Sequence, residues 1–141
     1  MDIQTLSVTN ELLNLLRSCD LTVSDIQPSQ ALLLFGLKAK NRLVGAAGLE
    51  VYGVAGLLRS IAVSPDCRGA GIGSALVRFA EREAMRRHID ELYLLTVTTE
   101  AFFRRLNYQP TARDDAPEVI KNTKQFTSLC PGSALLLSKR L

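Results

Sequence analysis

One mixed α/β sheet, largely antiparallel and carrying helices on both faces, is the fold that the 141-residue sequence predicts. Three observations point to it. The apolar runs ALLLFGLKA (31–39), RLVGAAGLEVY (42–52) and AGLLRSIAV (55–63) succeed one another with only KN (40–41) and GVAG (53–56) as breaks, short enough for hairpins. A glycine-rich loop then opens a helical pattern from about Ile72 to Arg87. The strand-like run LYLLTV (92–97) follows that helix, which places it parallel to the strand before it. A three-strand meander followed by one crossover is not a series of βαβ units.

Taken in order, each element has a local reason. Leucines at 12, 13, 15 and 16 within ELLNLLRSC (11–19) predict a short amphipathic helix, and the polar TVSDIQPSQ after it predicts a loop. The meander comes next. In the long helix Ile72, Leu76, Phe79, Ala80 and Ala84 recur at helical spacing, while Arg78, Arg82 and Arg86 share another face. EAFFRRL (100–106) predicts a short helix ended by Asn107, a residue that tolerates the left-handed conformation. A polar segment with Pro110 and Pro117 follows, with a helix near 115–126, and SALLLSKRL (133–141) closes the chain as a strand. Open edges at 31–39 or 134–141 could pair across a homodimer.

Composition narrows the class. The length suits one domain, 1–141, with its own hydrophobic core. A net charge of +3 spread along the chain is too mild to argue for nucleic acid. The apolar runs are too short to span a bilayer, and the N-terminal segment, with an acid at position 2, does not read as a signal peptide. A soluble cytoplasmic protein without a membrane partner is expected. Cys19, Cys67 and Cys130 are widely spaced, with a single His and no C-x-x-C pair, so neither a disulfide framework nor a metal site is expected. Three thiolates gathered by the fold could hold trivalent arsenic, but separated cysteines more often serve as small hydrophobes.

The informative stretch is SIAVSPDCRGAGIGSAL (60–76). A loop that leaves a strand and opens a helix presents unpaired backbone N–H groups, and the helix dipole points the same way. Without Cβ atoms at Gly69, Gly71 and Gly73 the backbone can approach an anion closely, and Arg68 adds a charge at the mouth. Phosphate or pyrophosphate suits such a site. The loop lacks the Lys of a Walker A motif, and Ser74 follows where a dinucleotide fingerprint continues differently. A tight turn using glycine for geometry alone is the structural alternative.

Arg68-Gly69-Ala70-Gly71-Ile72-Gly73 resembles the Arg-x-x-Gly-x-Gly signature of the GCN5-related N-acetyltransferase (GNAT) superfamily, with IAVSPDCRG similar to its strand and loop and FFRRLNYQP to its later helix and turn. The likeness in element order runs from about residue 10 to the end. It implies acetyl-CoA as cosubstrate, with the backbone of Arg68, Gly69, Ala70, Gly71, Ile72, Gly73 and Ser74 on the pyrophosphate. It also implies that the strand Ser60–Val63 pairs with the pantetheine arm, with an N–H near Ile61, Ala62 or Val63 on the developing oxyanion. GLEVYGVAGLLRSIAV, LYLLTVTTEAFFRRLNY and FTSLCPGSALL further resemble small N-acetyltransferases found with arsenic-resistance genes and the acetyltransferase domain of N-acetylglutamate synthase. That narrower likeness implies a small amine acceptor, an amino acid or analogue. A protein or peptide acetyltransferase and a non-catalytic acyl-CoA-binding sensor are the alternatives.

Acetyl transfer from a thioester needs a neutral amine near the carbonyl, a stabilised oxyanion and a released thiolate. Glu50, a carboxylate amid VGAAGLEVY, could deprotonate the ammonium directly or through water; otherwise it is a strand-end Glu facing solvent. Arg59, a cation inside LLRSIAV, could clamp an acceptor carboxylate, or be an edge Arg or an ion pair to Glu50. In a regular strand Leu57, Arg59, Ile61 and Val63 would share a face. Tyr52 would share the face of Glu50 and line the acceptor side, or be simply exposed. Thr96 and Thr98, ending their strand, could hydrogen-bond the acceptor. The Arg78, Arg82 and Arg86 row could meet the 3′-phosphate of CoA, though a solvated helix face is the plainer reading. Many superfamily members carry a Tyr in the later helix that protonates the thiolate; Phe103 stands at the matching position, Tyr108 lies in the following turn, and the general acid is unassigned.

Overall fold

The computed structural model describes residues 2–27, 31–129 and 132–141. After a first short strand β1 (Ile3–Leu6), helix α1 (Asn10–Ser18) starts at Thr9, whose hydroxyl accepts from the Leu12 N–H at 3.2 Å and so caps it. Leu12, Leu15 and Leu16 form its buried stripe. The meander follows as β2 (Leu32–Ala39), β3 (Arg42–Tyr52) and β4 (Ala55–Val63). Lys40 and Asn41 take φ of 52° and 64°, the paired left-handed geometry that lets a two-residue turn follow the twist of its strands.

Beyond β4 come α2 (Ile72–Arg86), β5 (Glu91–Thr96), α3 (Glu100–Arg105), a two-residue β6 (Gln109–Pro110), α4 (Glu118–Lys121) and β7 (Leu135–Arg140). The helix expected at 115–126 is interrupted: α4 ends at Lys121, and a π-helical turn, Gln125–Leu129, follows it. Thr123 accounts for part of that. Its hydroxyl donates to the Ile120 carbonyl at 2.8 Å and accepts from the Phe126 N–H at 3.3 Å, competing with main-chain helix bonds.

The seven strands form one sheet in the order β1-β2-β3-β4-β5-β7-β6, antiparallel except for β4 and β5. Neither edge expected for dimer pairing is open along its length. β1 covers β2 from Leu34 to Leu37, and β6 pairs with Leu137 and Ser138 of β7. The sequence hides β1 because IQTL is only four residues long, too short for a periodic signal.

Each face of the sheet has its own core. On one face Leu76 and Val77 of α2 pack with Phe35, Leu49 and Leu92 of the sheet, and on the other Leu12 and Leu16 of α1 pack with Leu34, Leu43 and Ala62. A third cluster, with Leu57, Tyr93 and Ile120, continues the α1 side toward α4. Being covered on both faces explains why β3 reads as an unbroken apolar run rather than an alternation.

Candidate active site

The chain enters the glycine loop through a braced corner. Arg42 Nη2 lies 2.6 Å from Asp66 Oδ2 and Nη1 lies 3.3 Å from Ser64 Oγ, while Ser64 Oγ donates to Asp66. The Ser64 and Arg42 contacts hold the Asp66 carboxyl below its ordinary value. Gly69 and Gly71 then take φ of 87° and 79°, and open space surrounds the position of a Cβ at either. Their glycine is required by conformation. Gly73 is different: a Cβ there would lie 3.3 Å from the Phe102 ring, so its glycine serves close packing. Helix α2 begins immediately, without a side-chain cap or an acidic residue in its first turn, so its opening N–H groups stand without intrahelical partners in an exposed loop. Such an opening suits an anion. Arg68 folds back, its Nε donating to the Val63 carbonyl at 3.2 Å and its Nη2 lying 3.6 Å from Cys19 Sγ.

Strands β4 and β5 pair in parallel only from Ala55 to Leu57 with Glu91 to Tyr93. From Leu58 onward β4 has no strand partner on that side among the described residues, while β5 continues alongside β7. The segment Ser60–Val63 therefore borders a gap whose far end meets the glycine loop. Within it β4 bulges: Ala62 opposes Ala46 but Arg59 opposes Gly48, so Ser60 and Ile61 together face Ala47. Ser60 takes φ of 56°. The bulge corrects the expectation of one shared face. Leu57 belongs to the α4-side core and Arg59 lies on that face beside Leu34, whereas Ile61 and Val63 pack on the α2 side.

Arg59 opens the second half of the site. A cavity of about 350 Å³ is lined by Asp25, Glu50, Tyr52, Arg59, Asn122 and Lys124, among others. Arg59, its side chain 2% exposed, donates through Nη1 to Glu50 Oε2 at 2.7 Å and through Nη2 to Asp25 Oδ1 at 2.7 Å; Nη1 also reaches Asp25 Oδ2, and Nε donates to Ser60 Oγ at 3.1 Å. Tyr52 donates to Glu50 Oε1, so the two share the face that alternation predicts. Burial would raise the Asp25 carboxyl, but the Arg59 guanidinium outweighs it and holds the group below its ordinary value. Burial and then the Glu50 carboxylate push the Tyr52 phenol up, so Tyr52 remains a hydrogen-bond donor. Glu50 lies opposite Leu57, the last residue of β4 that β5 pairs, so the cavity adjoins the point where the gap opens.

The structure thus joins Glu50, Arg59 and Tyr52 and chooses the ion pair for Arg59, whose fork is filled by carboxylates of the chain itself. It leaves the threonines outside the cavity. Strand β5 ends at Thr96, whose buried hydroxyl accepts from the Thr99 N–H at 3.0 Å and bonds the Thr99 hydroxyl at 2.6 Å; Thr98 is exposed beyond the strand. Arg78 and Arg82 stand exposed with Asp2 and Ile3, at the β1 side of the sheet, and Arg86 bonds Glu83 at 2.8 Å; the row is a solvated helix face. Phe103 is buried against Phe102 and Tyr108. Tyr108 is fully buried with its hydroxyl committed to Glu81 Oε2 at 2.8 Å, and burial followed by that carboxylate raises its phenol strongly. The Cys19 thiol donates to the Val63 carbonyl at 3.5 Å and Cys67 packs against the α2-side core, while Cys130 lies outside the described residues. Sequence reasoning missed Asp25, Asn122 and Lys124. Asp25 sits in a polar loop 34 residues from Arg59, and no local pattern marks it.

A family model described as the acetyltransferase (GNAT) family matches residues 9–108. An uncharacterized N-acetyltransferase of Chlorobaculum tepidum is 30% identical over 82 residues, 57% of this chain and 52% of that protein. An amino-acid acetyltransferase of Ralstonia nicotianae is 31% identical over 78 residues, 54% of this chain and 17% of that protein. In fold, the chain is similar over 100% of its length to 35% of the N-acetylglutamate synthase of Neisseria gonorrhoeae complexed with coenzyme A and N-acetyl-glutamate, with a TM-score of 0.77 at 18% identity. The matched region spans about half the length of the first relative and a smaller share of the other two.

Proposed function

The chain belongs to the acetyltransferase (GNAT) family, and from that premise we propose that it transfers the acetyl group of acetyl-CoA to the amine of a small molecule, an amino acid or analogue. The single observation that carries the reading is the junction of two half-sites at Arg59. On one side the β4–β5 gap leads to the glycine loop; on the other lies a cavity of small-molecule size, about 350 Å³, with both signs of charge on its wall. Names of relatives lend support: an amino-acid acetyltransferase and an N-acetylglutamate synthase are among the similar proteins.

On this reading the backbone from Arg68 to Ser74 holds the pyrophosphate, because exposed N–H groups at a helix start attract anions. Ser60–Val63 borders the pantetheine arm. The neutral acceptor nitrogen attacks the thioester carbonyl, the C–S bond breaks, and the proton that the new amide nitrogen sheds passes through water to the leaving thiolate. Glu50 takes the ammonium proton, directly or through water, while Tyr52 and Arg59 hold its carboxylate in place. Acceptor recognition falls to Tyr52, Asn122 and Lys124 on the cavity wall. Arg59 acts behind the wall rather than as the anchor of an acceptor carboxylate.

The test is thiol release from acetyl-CoA with a panel of free amino acids, polyamines and arsenical amino acids. Release with one acceptor class, reduced about a hundredfold or more in Glu50→Gln at unchanged acetyl-CoA affinity, is the expected result. Tight acetyl-CoA binding without release across the panel and a set of peptide amines would instead make the chain a sensor.

A further inference from the structure

Resting on that acetyltransferase reading, we infer that Asp25 is a positioning residue for acetyl transfer, acting through Arg59 to hold the Ser60 bulge in the strand that borders the donor gap. Ser60 lies within a strand at φ of 56° and is not glycine, a conformation that persists only where the surroundings impose it. Its hydroxyl is tied to Arg59 Nε. Arg59 is tied in turn by the two-point pair to Asp25 and by the single bond to Glu50.

Glu50 and Arg59 come from paired strands whose register fixes them. Asp25 comes from the turn between α1 and β2, anchored by its buried neighbour Ile26. It is therefore the partner that sets which way the guanidinium plane faces. Without the Asp25 charge, the two-point pair is lost, since an amide offers the guanidinium a single acceptor, and the Nε–Ser60 bond loses its fixed direction. Relaxation of Ser60 to extended backbone would remove the extra residue opposite Ala47 and turn Ile61–Val63 to the other face, since strand side chains alternate. The bulge begins three residues past Leu57, where β5 pairing ends, so such a turn changes what β4 presents to the gap. Acceptor wall and donor strand form one hydrogen-bonded unit.

Asp25→Asn keeps size and removes charge. The expected outcome is a kcat about tenfold lower with the acceptor KM moved less than about twofold. Acetyl-CoA affinity should be unchanged, and amide exchange at Ser60–Val63 should be faster than in the rest of the sheet. Ser60→Ala, which loses only the hydroxyl, should reproduce both effects. Adding Ser60→Gly to Asp25→Asn should restore both, because glycine takes positive φ without support. A raised KM with unchanged kcat and unchanged exchange would overturn the inference by placing Asp25 on the acceptor itself, and failure of Ser60→Gly to restore exchange would overturn it equally. Exchange is read without any acceptor, so an inactive protein would defeat the acetyltransferase reading while the Asp25–Ser60 coupling was still decided.

Discussion

Asp25 owes its ionised state to a contest between burial, which opposes charge, and the guanidinium against which it lies. Its folded pKa is depressed, so the unfolded chain binds the proton more readily and stability rises with pH through that range. The contribution is complete above the ordinary value of 3.8 and is lost as pH falls through the depressed one. The melting-temperature gap between wild type and Asp25→Asn should therefore hold steady from about pH 8 to about pH 5 and shrink below about pH 4. A gap that widens on acidification would contradict the pairing. Tyr52 and Tyr108 are both pushed up, yet for different ends. Tyr52 keeps a proton on the wall of the cavity, while the proton of Tyr108 is spent inside a strut with Glu81 and Lys139, whose Nζ lies 2.9 Å from the same Oε2. Nothing in the residue types distinguishes these two phenols; only burial does.

At the level of elements, the passage from β4 into α2 carries the proposed donor half of the site. Two of its glycines answer to backbone conformation and one to packing, and the two cases fail differently. Gly71→Ala forces a Cβ into the left-handed region at the first residue before α2, with a cost of about 1–2 kcal/mol. A lowered melting temperature together with weakened acetyl-CoA binding, read by calorimetry, is the expected outcome; unchanged affinity would move the anion site off this loop. Gly73→Ala meets the Phe102 ring instead, so its effect depends on how far that side chain can shift. The loop was legible because glycine spacing is local. The bulge in β4 was not, because LLRSIAV reads as a regular strand and only pairing with Ala46, Ala47 and Gly48 reveals the extra residue.

For the molecule as a whole, one sheet is shared by two core layers, so neither can melt and leave the other intact. Phe35 and Leu49 serve the α2 side, while Leu34 and Leu43, on the same strands, serve the α1 side. Denaturant unfolding followed by far-UV circular dichroism and by tyrosine fluorescence should give coincident transitions. Leu76→Ala in α2 and Leu12→Ala in α1, both fully buried, should each lower the stability of that single transition by about 2–5 kcal/mol. Separate midpoints would show that the α1 layer unfolds on its own.

The amino-acid sequence alone determined the order of the strands and helices from α1 to α3 and the closing strand, the hairpins of the meander, the parallel return after α2, and the glycine loop that opens that helix. All of these rest on contacts between residues near in the chain, or on periodicities that a dozen residues display. Tertiary structure decided the rest. It brought Asp25 to Arg59, made Arg59 the buried centre of an ion cluster where the sequence had left acceptor clamp and ion pair both open, flipped Ile61 and Val63 by one bulge, covered β2 with the unmarked strand β1, and withdrew Thr96 and Tyr108 into internal bonds. Those outcomes depend on which residues meet across the sheet and how far each is taken from water, and the order of residues along the chain encodes neither locally.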